Sequence, residues 1–547
     1  MLSWMTGCSA FRISWASSGE SSASSRECVL KRTFSDRDDP YVDGHILAEH
    51  PGSRNRAQAR HGIIATMKIR FSVFFAFLAA LAQGAFAQGL PDLGEVSQAD
   101  LPPHLERRIG ESIMRDIRLR EPSYIDDVEV TTYLNTLGAR LSAATPEAGR
   151  YFEFFAIRDA TLNAFALPGG YIGVHSGLIL AAQSESELAG VLAHEIAHVT
   201  QKHLARLMGK QNQAQITQWL AIAVAILAAR SSSDASQAAM VAGTAAGVQT
   251  MLNYSREFEH EADRIGIQTL EKAGFDVRGM AAFFERMQKF GRLYENNAPG
   301  YLRTHPLTTE RISDMENRIL NAHYRQVADS AEFQLVRAKL RAARGTPQEA
   351  VADFEFQLRE RKYLSEGAAR YGLAAAQVRA KNFAAAERQV TELRSMKLVS
   401  PMVDTLAADL RRMQGDPAGA LKIYREARSR YARNKALLYG QIDAQLADGQ
   451  AQEALKTTTA ELQLTPSDPI LHGLQARSYA ALGKRLQQHR AQAELYALQG
   501  QLVAAVQQLE LAQKAGDGDF FEHSQVDARL RELKIRQQEE AQQKLPL

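Results

Sequence analysis

Two histidines four residues apart, His194 and His198, enclose Glu195 in the pentapeptide His194-Glu195-Ile196-Ala197-His198. On an α-helix, residues four apart share a face, so both imidazoles can grip one metal ion. Imidazole nitrogen suits zinc, and a catalytic zinc keeps one coordination position open for water. Glu195, beside the first ligand, can take a proton from that water as it attacks a peptide carbonyl. The chemistry implied is metal-assisted hydrolysis of peptide bonds. The competing reading is a buried amphipathic helix with two incidental histidines.

A third protein ligand is needed, and the segment from Tyr254 to Asp263 offers several. Glu259 and Asp263 are four apart and stack on one helical face. Glu259 can ligate zinc. Asp263 can accept the free ring N–H of a ligating histidine and fix its tautomer, which makes it a catalytic candidate beside Glu195. Glu257, His260 and Glu261 point to other faces and read as solvated charges.

These residues need elements to hold them. Ser184-Glu185-Ser186-Glu187 has the form of a capping box, and Leu188, Val191, Leu192, Ile196 and Val199 follow at helical spacing. The pattern predicts a helix from about Glu185 to Met208, with Gly209 near its end. Upstream, helices are expected from Leu101 to Arg120 and from Asp126 to Ala143. The aromatic run Tyr151–Ile157 reads as a strand. Ala164–Leu167 and Tyr171–His175 read as two more, joined by the turn Pro168-Gly169-Gly170.

With those residues in view, the chain resembles the gluzincin metallopeptidases of the HtpX and CAAX-prenyl-protease type. There H-E-x-x-H is followed by E-x-x-x-D on a second helix, matched here by His194, Glu195, His198, Glu259 and Asp263. Asn163-Ala164-Phe165-Ala166-Leu167-Pro168-Gly169-Gly170-Tyr171-Ile172 resembles the family's edge-strand segment upstream of the active-site helix. Thr304-His305-Pro306 resembles a T-H-P element of periplasmic members. The resemblance implies that Asn163, Ala164, Phe165 and Ala166 bind substrate by adding it to the sheet as a further strand; the alternative is a plain core hairpin. His305 has three readings. As a fourth ligand it would displace the water and hold the site latent. It could instead donate a hydrogen bond to the developing oxyanion, or simply precede a proline turn. Arg311 is a weaker candidate for supporting the transition state.

Met67-Lys68-Ile69-Arg70, the apolar run Phe71–Leu81 and the small-x-small site Ala85-Phe86-Ala87 read as a secretory signal peptide, cleaved after Ala87. Residues 1–66 precede it, rich in Ser and Arg, and read as a mis-called or disordered extension. The 2 cysteines, Cys8 and Cys28, both precede Met67, so from Gln88 onward neither disulfides nor thiol chemistry is available. Cysteine-based regulation known among relatives is therefore not carried over. The 547 residues suggest two or three domains, with 45% hydrophobic and 23% charged residues, ordinary for globular protein. A formal charge of +3 is too small to imply nucleic acid. Between the two metal helices lie apolar stretches, Trp219–Ala229 and Ala238–Val248, each about half a bilayer span. They read either as a hairpin touching a membrane or partner, or as two packed core helices.

From about Ser330 the composition turns to Ala, Leu, Gln and Arg. Gly415, Gly449 and Gly483 recur, as do Ala386, Ala420 and Ala454, at the 34-residue period of tetratricopeptide repeats. Units are expected to begin near residues 333, 367, 401, 435 and 469, with a helical pair after Gly500. A plain bundle of Ala-rich helices is the alternative. The expected fold is mainly α: a zincin-like peptidase domain with a small sheet at 88–328, then an α-solenoid at 329–547 whose concave face docks proteins. The resemblance implies a periplasmic zinc endopeptidase in quality control of outer-membrane β-barrel proteins. Its partners would be stalled or misfolded outer-membrane proteins and the barrel-assembly machinery. The alternative is a chaperone or scaffold for outer-membrane assembly with a normally latent zinc site.

Overall fold

The computed structural model describes residues 102–208, 245–293, 301–302, 305–320, 322 and 325–542. The expected extension at 1–66, the signal peptide at 67–87, the stretch Trp219–Ala229 and most of Ala238–Val248 lie outside the described residues, as does Thr304. Among the described residues no helix is long and apolar enough to cross a membrane.

Helix α1 (Pro103–Arg120) opens with proline in its first turn, where a missing N–H costs nothing. Helix α2 (Val128–Ser142) is capped by Asp127, whose carboxylate accepts from the backbone N–H groups of Glu129 and Val130. Strands β1 (Glu153–Ile157), β2 (Ala164–Leu167) and β3 (Tyr171–His175) form one sheet in the order β1-β3-β2. β3 runs parallel to β1 and antiparallel to β2, pairing Phe165 with Gly173. β2 is thus an edge strand. Gly170, at φ 86°, lies against the start of β1: a Cβ there would sit 2.1 Å from the Tyr151 carbonyl oxygen, which only glycine avoids. At Gly173 the Phe165 ring fills the place of a side chain.

The short helix α3 (Ser176–Ala181) leads to α4 (Glu185–Thr200), capped by Ser184, which accepts from the Glu187 N–H. The helix does not run on to Met208 as its periodicity suggests. It stops at Thr200, Lys202 takes the left-handed conformation at φ 54°, and a separate helix α5 spans His203–Met208. The chain normally marks such a stop with glycine; here lysine holds the position, so the sequence carries no signal for it.

Helix α6 (Ala245–Lys272) packs across α4. Gly266 sits at the crossing, where a Cβ would lie 3.2 Å from the His194 backbone nitrogen. Helix α7 (Arg278–Leu293) covers the other flank of α4, and α8 (Thr309–Leu320) packs on α6 and α7.

Twelve further helices, α9 (Ala331–Ala342) to α20 (Phe520–Gln542), follow as stacked antiparallel pairs. The first helix of successive pairs starts at Ala331, Glu366, Pro401, Lys435 and Pro469, and a last pair follows Gly500. Gly415, Gly449 and Gly483 turn the chain at φ 84°, 74° and 71°. Ala386, Ala420 and Ala454 are fully buried where helices cross. Pairs stacked at a constant period make a solenoid, not a bundle.

An apolar core runs without a break from Ile125 through the α4 helix to Val403 in the repeats. Polar ties accompany it. Glu185, the first residue of α4, accepts from the Tyr133 hydroxyl at 3.0 Å, the Ser330 N–H at 3.0 Å and the Ser330 hydroxyl at 2.7 Å. Lys339 of α9 reaches Asp127 and Glu129 of the α2 start, both at 2.6 Å.

Candidate metal centre

Helix α4 presents His194 and His198 on one face, as four-residue spacing requires. Helix α6 crosses it and delivers Glu259 from the same height. The His194 Nε2 lies 2.9 Å from the His198 Nε2 and 3.3 Å from the Glu259 Oε2. The His198 Nε2 lies 3.3 Å from the Glu259 Oε1. His305, just before α8, completes the group: its Nδ1 is 2.9 Å from the Glu259 Oε1 and 3.4 Å from the His194 Nε2. The four donor atoms all lie within 4.8 Å of one another. Four tetrahedral ligands each 2.0–2.1 Å from a zinc ion are separated by roughly 3.3 Å, so these spacings fit one ion.

The surroundings fit as well. Neither carboxylate oxygen of fully buried Glu195 has a hydrogen-bond partner among the described residues, and the His305 Nε2 lies 3.7 Å away. Such an orphaned buried carboxylate is costly unless something polar meets it. Burial opposes a charge on His194, yet hydrogen bonds with Asp263 and Glu259 outweigh it and push the imidazole up to about 9. Burial likewise opposes the ionised Glu259, but His305, His198 and His194 hold it well below the usual carboxylate range. His198 goes the other way, held below its usual value by burial and by its neighbours His194 and His305.

Asp263 lies 3.0 Å from the His194 Nδ1, behind the face that points into the cluster. Arg311, only 1% exposed, reaches both Asp263 oxygens, from Nε at 2.7 Å and Nη2 at 2.8 Å. Its Nη1 lies 2.9 Å from the Glu259 Oε2 and donates to the Pro306 carbonyl at 2.8 Å. Sequence reasoning cast Arg311 as weak support for a transition state. The structure spends its donors on the two carboxylates and on the segment carrying His305, which is a clamp. No motif marks an arginine for that; only the fold brings it in from α8.

His305 is held on all sides. Its N–H donates to the Tyr301 carbonyl at 2.7 Å, and the Tyr301 ring stacks on its imidazole at 4.4 Å. The Tyr301 N–H donates to the Leu162 carbonyl at 3.1 Å, next to the edge strand. β2 itself packs against α4. Phe165 turns its ring over Gly173 and toward Phe155 and His175, each at 5.9 Å. The Asn163 amide lies 3.5 Å from the His175 ring. Sequence reasoning also missed His203, which touches His198, and read its partner Glu261 as a solvated charge. Glu261 instead lies 3.2 Å from the His203 Nε2 and 2.8 Å from the Arg206 guanidinium.

Peptidase family M48 matches residues 129–319, the span that contains all of these groups. The chain is 33% identical over 450 residues to the β-barrel assembly-enhancing protease of Escherichia coli K12, covering 82% of this chain and 92% of that protein. The chain belongs to the β-barrel assembly-enhancing protease family. A putative member from Vibrio cholerae is 40% identical over 307 residues, covering 56% of this chain and 63% of that one. A mitochondrial metalloendopeptidase of Schizosaccharomyces pombe is 28% identical over 233 residues, 42% of this chain and 65% of that one. Among solved structures, a tetratricopeptide repeat protein from Parabacteroides merdae aligns over 53% of this chain and 98% of its own at 16% identity, with a TM-score of 0.27. This member of the family is a metalloendopeptidase: a mainly helical peptidase segment with a small sheet, followed by tetratricopeptide-like helical repeats.

Proposed function

We propose that the protein is a periplasmic zinc endopeptidase acting in quality control and assembly of outer-membrane β-barrel proteins, with the peptidase domain at 88–328 and a docking domain at 329–547. The observation that supports it most is the cluster of His194, His198, Glu259 and His305 beside the orphaned carboxylate of Glu195. The name of the Escherichia coli relative supplies the substrate class. His194, His198 and Glu259 would hold the ion. When bound, zinc acts as a Lewis acid that acidifies a water and polarises the scissile carbonyl.

The chain's own residues do the rest. Glu195 accepts a proton from the attacking water as the new C–O bond forms, then delivers it to the leaving amine as the C–N bond breaks. Asp263 accepts a hydrogen bond from the His194 Nδ1–H on the side away from the ion, which keeps the ring proton there and the Nε2 bare. The open side of β2 offers backbone N–H and C=O groups to an extended substrate, which holds a peptide without reading its side chains. His305 would supply a fourth ligand in place of the water, which would keep the resting site latent until His305 withdraws. The repeats dock the substrate or the barrel-assembly machinery, and any contact with the membrane is peripheral.

Casein cleavage by the purified protein, by His305→Ala and by Glu195→Gln tests this. His305→Ala should be strongly activated, and Glu195→Gln inert while still carrying one zinc by elemental analysis. Equal inactivity of the two variants would sink the plug, and turnover by Glu195→Gln would sink the base.

A further inference from the structure

His198 must offer a bare nitrogen to a metal, and the structure shows which one. Its Nε2 faces His194 and Glu259, so its ring proton belongs on Nδ1. That Nδ1 lies 2.9 Å from the Nδ1 of His203. Two imidazole nitrogens at this distance need one donor and one acceptor. If His198 donates, His203 accepts at Nδ1 and carries its own proton on Nε2. The His203 Nε2 is 3.2 Å from the Glu261 Oε2, a carboxylate oxygen that can only accept, and Arg206 anchors the same oxygen at 2.8 Å. Every link then has one proton and one acceptor. His203 is 3% exposed, and its ring lies flat on Phe258 at 4.5 Å, so water has little access to its ring nitrogens, while Glu261 and Arg206 at the far end are partly exposed.

We infer that His203 is the positioning residue for the ligand His198, locking its tautomer and ring plane through the chain His198–His203–Glu261–Arg206. This deepens the metal-site reading and rests on it. The two histidine ligands are then supported differently. His194 leans on a carboxylate, Asp263, which raises its basicity. His198 leans on a neutral imidazole, which orients it without adding charge. The helix break makes this possible. On a continuous helix, five residues turn the chain about 500°, leaving His203 about 140° round the axis from His198. The left-handed Lys202 folds the chain back and brings His203 against its ligand.

The test is zinc affinity of the full chain, measured by competition with a chromogenic chelator. His203→Leu, which fills the space but accepts no proton, should bind zinc 10–100-fold more weakly. His203→Asn places an acceptor oxygen where Nδ1 was and should recover most of that loss. Zinc binding by His203→Leu as tight as in the parent overturns the inference and leaves the metal site standing; a parent that binds no zinc overturns the site itself. Should His203→Leu not fold, imidazole nitrogen NMR of the zinc-loaded parent decides. The expected pattern is a proton on Nδ1 of His198 and on Nε2 of His203. A proton on Nδ1 of His203 overturns the inference.

Discussion

Arg311 shows what a single buried side chain can govern. Its guanidinium meets Asp263 in a two-pronged pair and also reaches Glu259 and the Pro306 carbonyl. Removing it strips two buried carboxylates of their guanidinium partner and leaves between them the imidazole of His194, 3.0 Å from Asp263 and 3.3 Å from Glu259. We predict that Arg311→Met costs about 3–5 kcal/mol of stability, read as a shifted midpoint in urea at constant slope. Arg311→Lys, which keeps charge but loses the planar fork, should recover only part of it. A loss below ~1 kcal/mol for the methionine variant would show that the clamp is dispensable. Of the site's residues, His194, Glu195, His198, Glu259 and Asp263 are legible in the sequence because each pair sits on a single helix, at a spacing that places both side chains on one face. Arg311 and His203 are not, because their partners lie 48 residues away along the chain for Asp263 and across a helix break for His198.

At the scale of elements, the break between α4 and α5 is the feature the pattern of residues hid. Apolar periodicity continues through it, so the sequence reads as one helix. The chain reverses because Lys202 adopts φ 54°, a conformation L-residues enter at a cost of about 1 kcal/mol or more. Lys202→Val should therefore lose about 1–2 kcal/mol, since a β-branched residue fits that conformation worst. Lys202→Gly should be tolerated within ~0.5 kcal/mol, its freedom in the folded turn offset by its freedom in the unfolded chain. Thermal melts of the two variants check the pair, and a valine variant as stable as the glycine one would refute the assignment of strain. The sheet came through more legibly. Its aromatic and β-branched runs, its Pro-Gly-Gly turn and the repeat period are local signals, and each element formed within a residue or two of where those signals fall.

For the whole molecule, the peptidase segment and the first repeats share one apolar core and a set of polar ties. Lys339 bridges Asp127 and Glu129 at 2.6 Å each. Burial pushes the Glu129 carboxyl above its ordinary value, although Lys339 pulls the other way. A carboxyl whose folded value is raised is comfortable when protonated and costs stability as pH rises through that value. Lys339→Met removes the opposing pull and raises it further. The variant should lose about 1–3 kcal/mol near neutral pH, discounted for the partly exposed lysine. The loss should shrink as pH falls into the carboxylate range, where Glu129 takes up a proton. Unfolding midpoints of parent and variant from pH 4 to 8 check this; a deficit that does not depend on pH would assign the loss to packing instead. The same junction carries Glu185 at the first turn of α4, which ties the helix of His194 and His198 to Ser330 at the entry to the repeats.

The sequence by itself determined the chemistry and the parts. The four-residue spacing of His194 with His198 and of Glu259 with Asp263, the turn glycines and the 34-residue period are short-range properties, set by backbone geometry that repeats every few residues. Tertiary structure alone decided how the parts meet. The crossing at Gly266 set Glu259 against His194, the return of the chain at Tyr301 carried His305 against His194 and Glu259, and the fold assigned Arg311 to the carboxylates and His203 to His198. Those pairings join side chains that are distant in sequence or separated by a break in periodicity, and they depend on the packing of several elements at once, which no local pattern of residue types encodes.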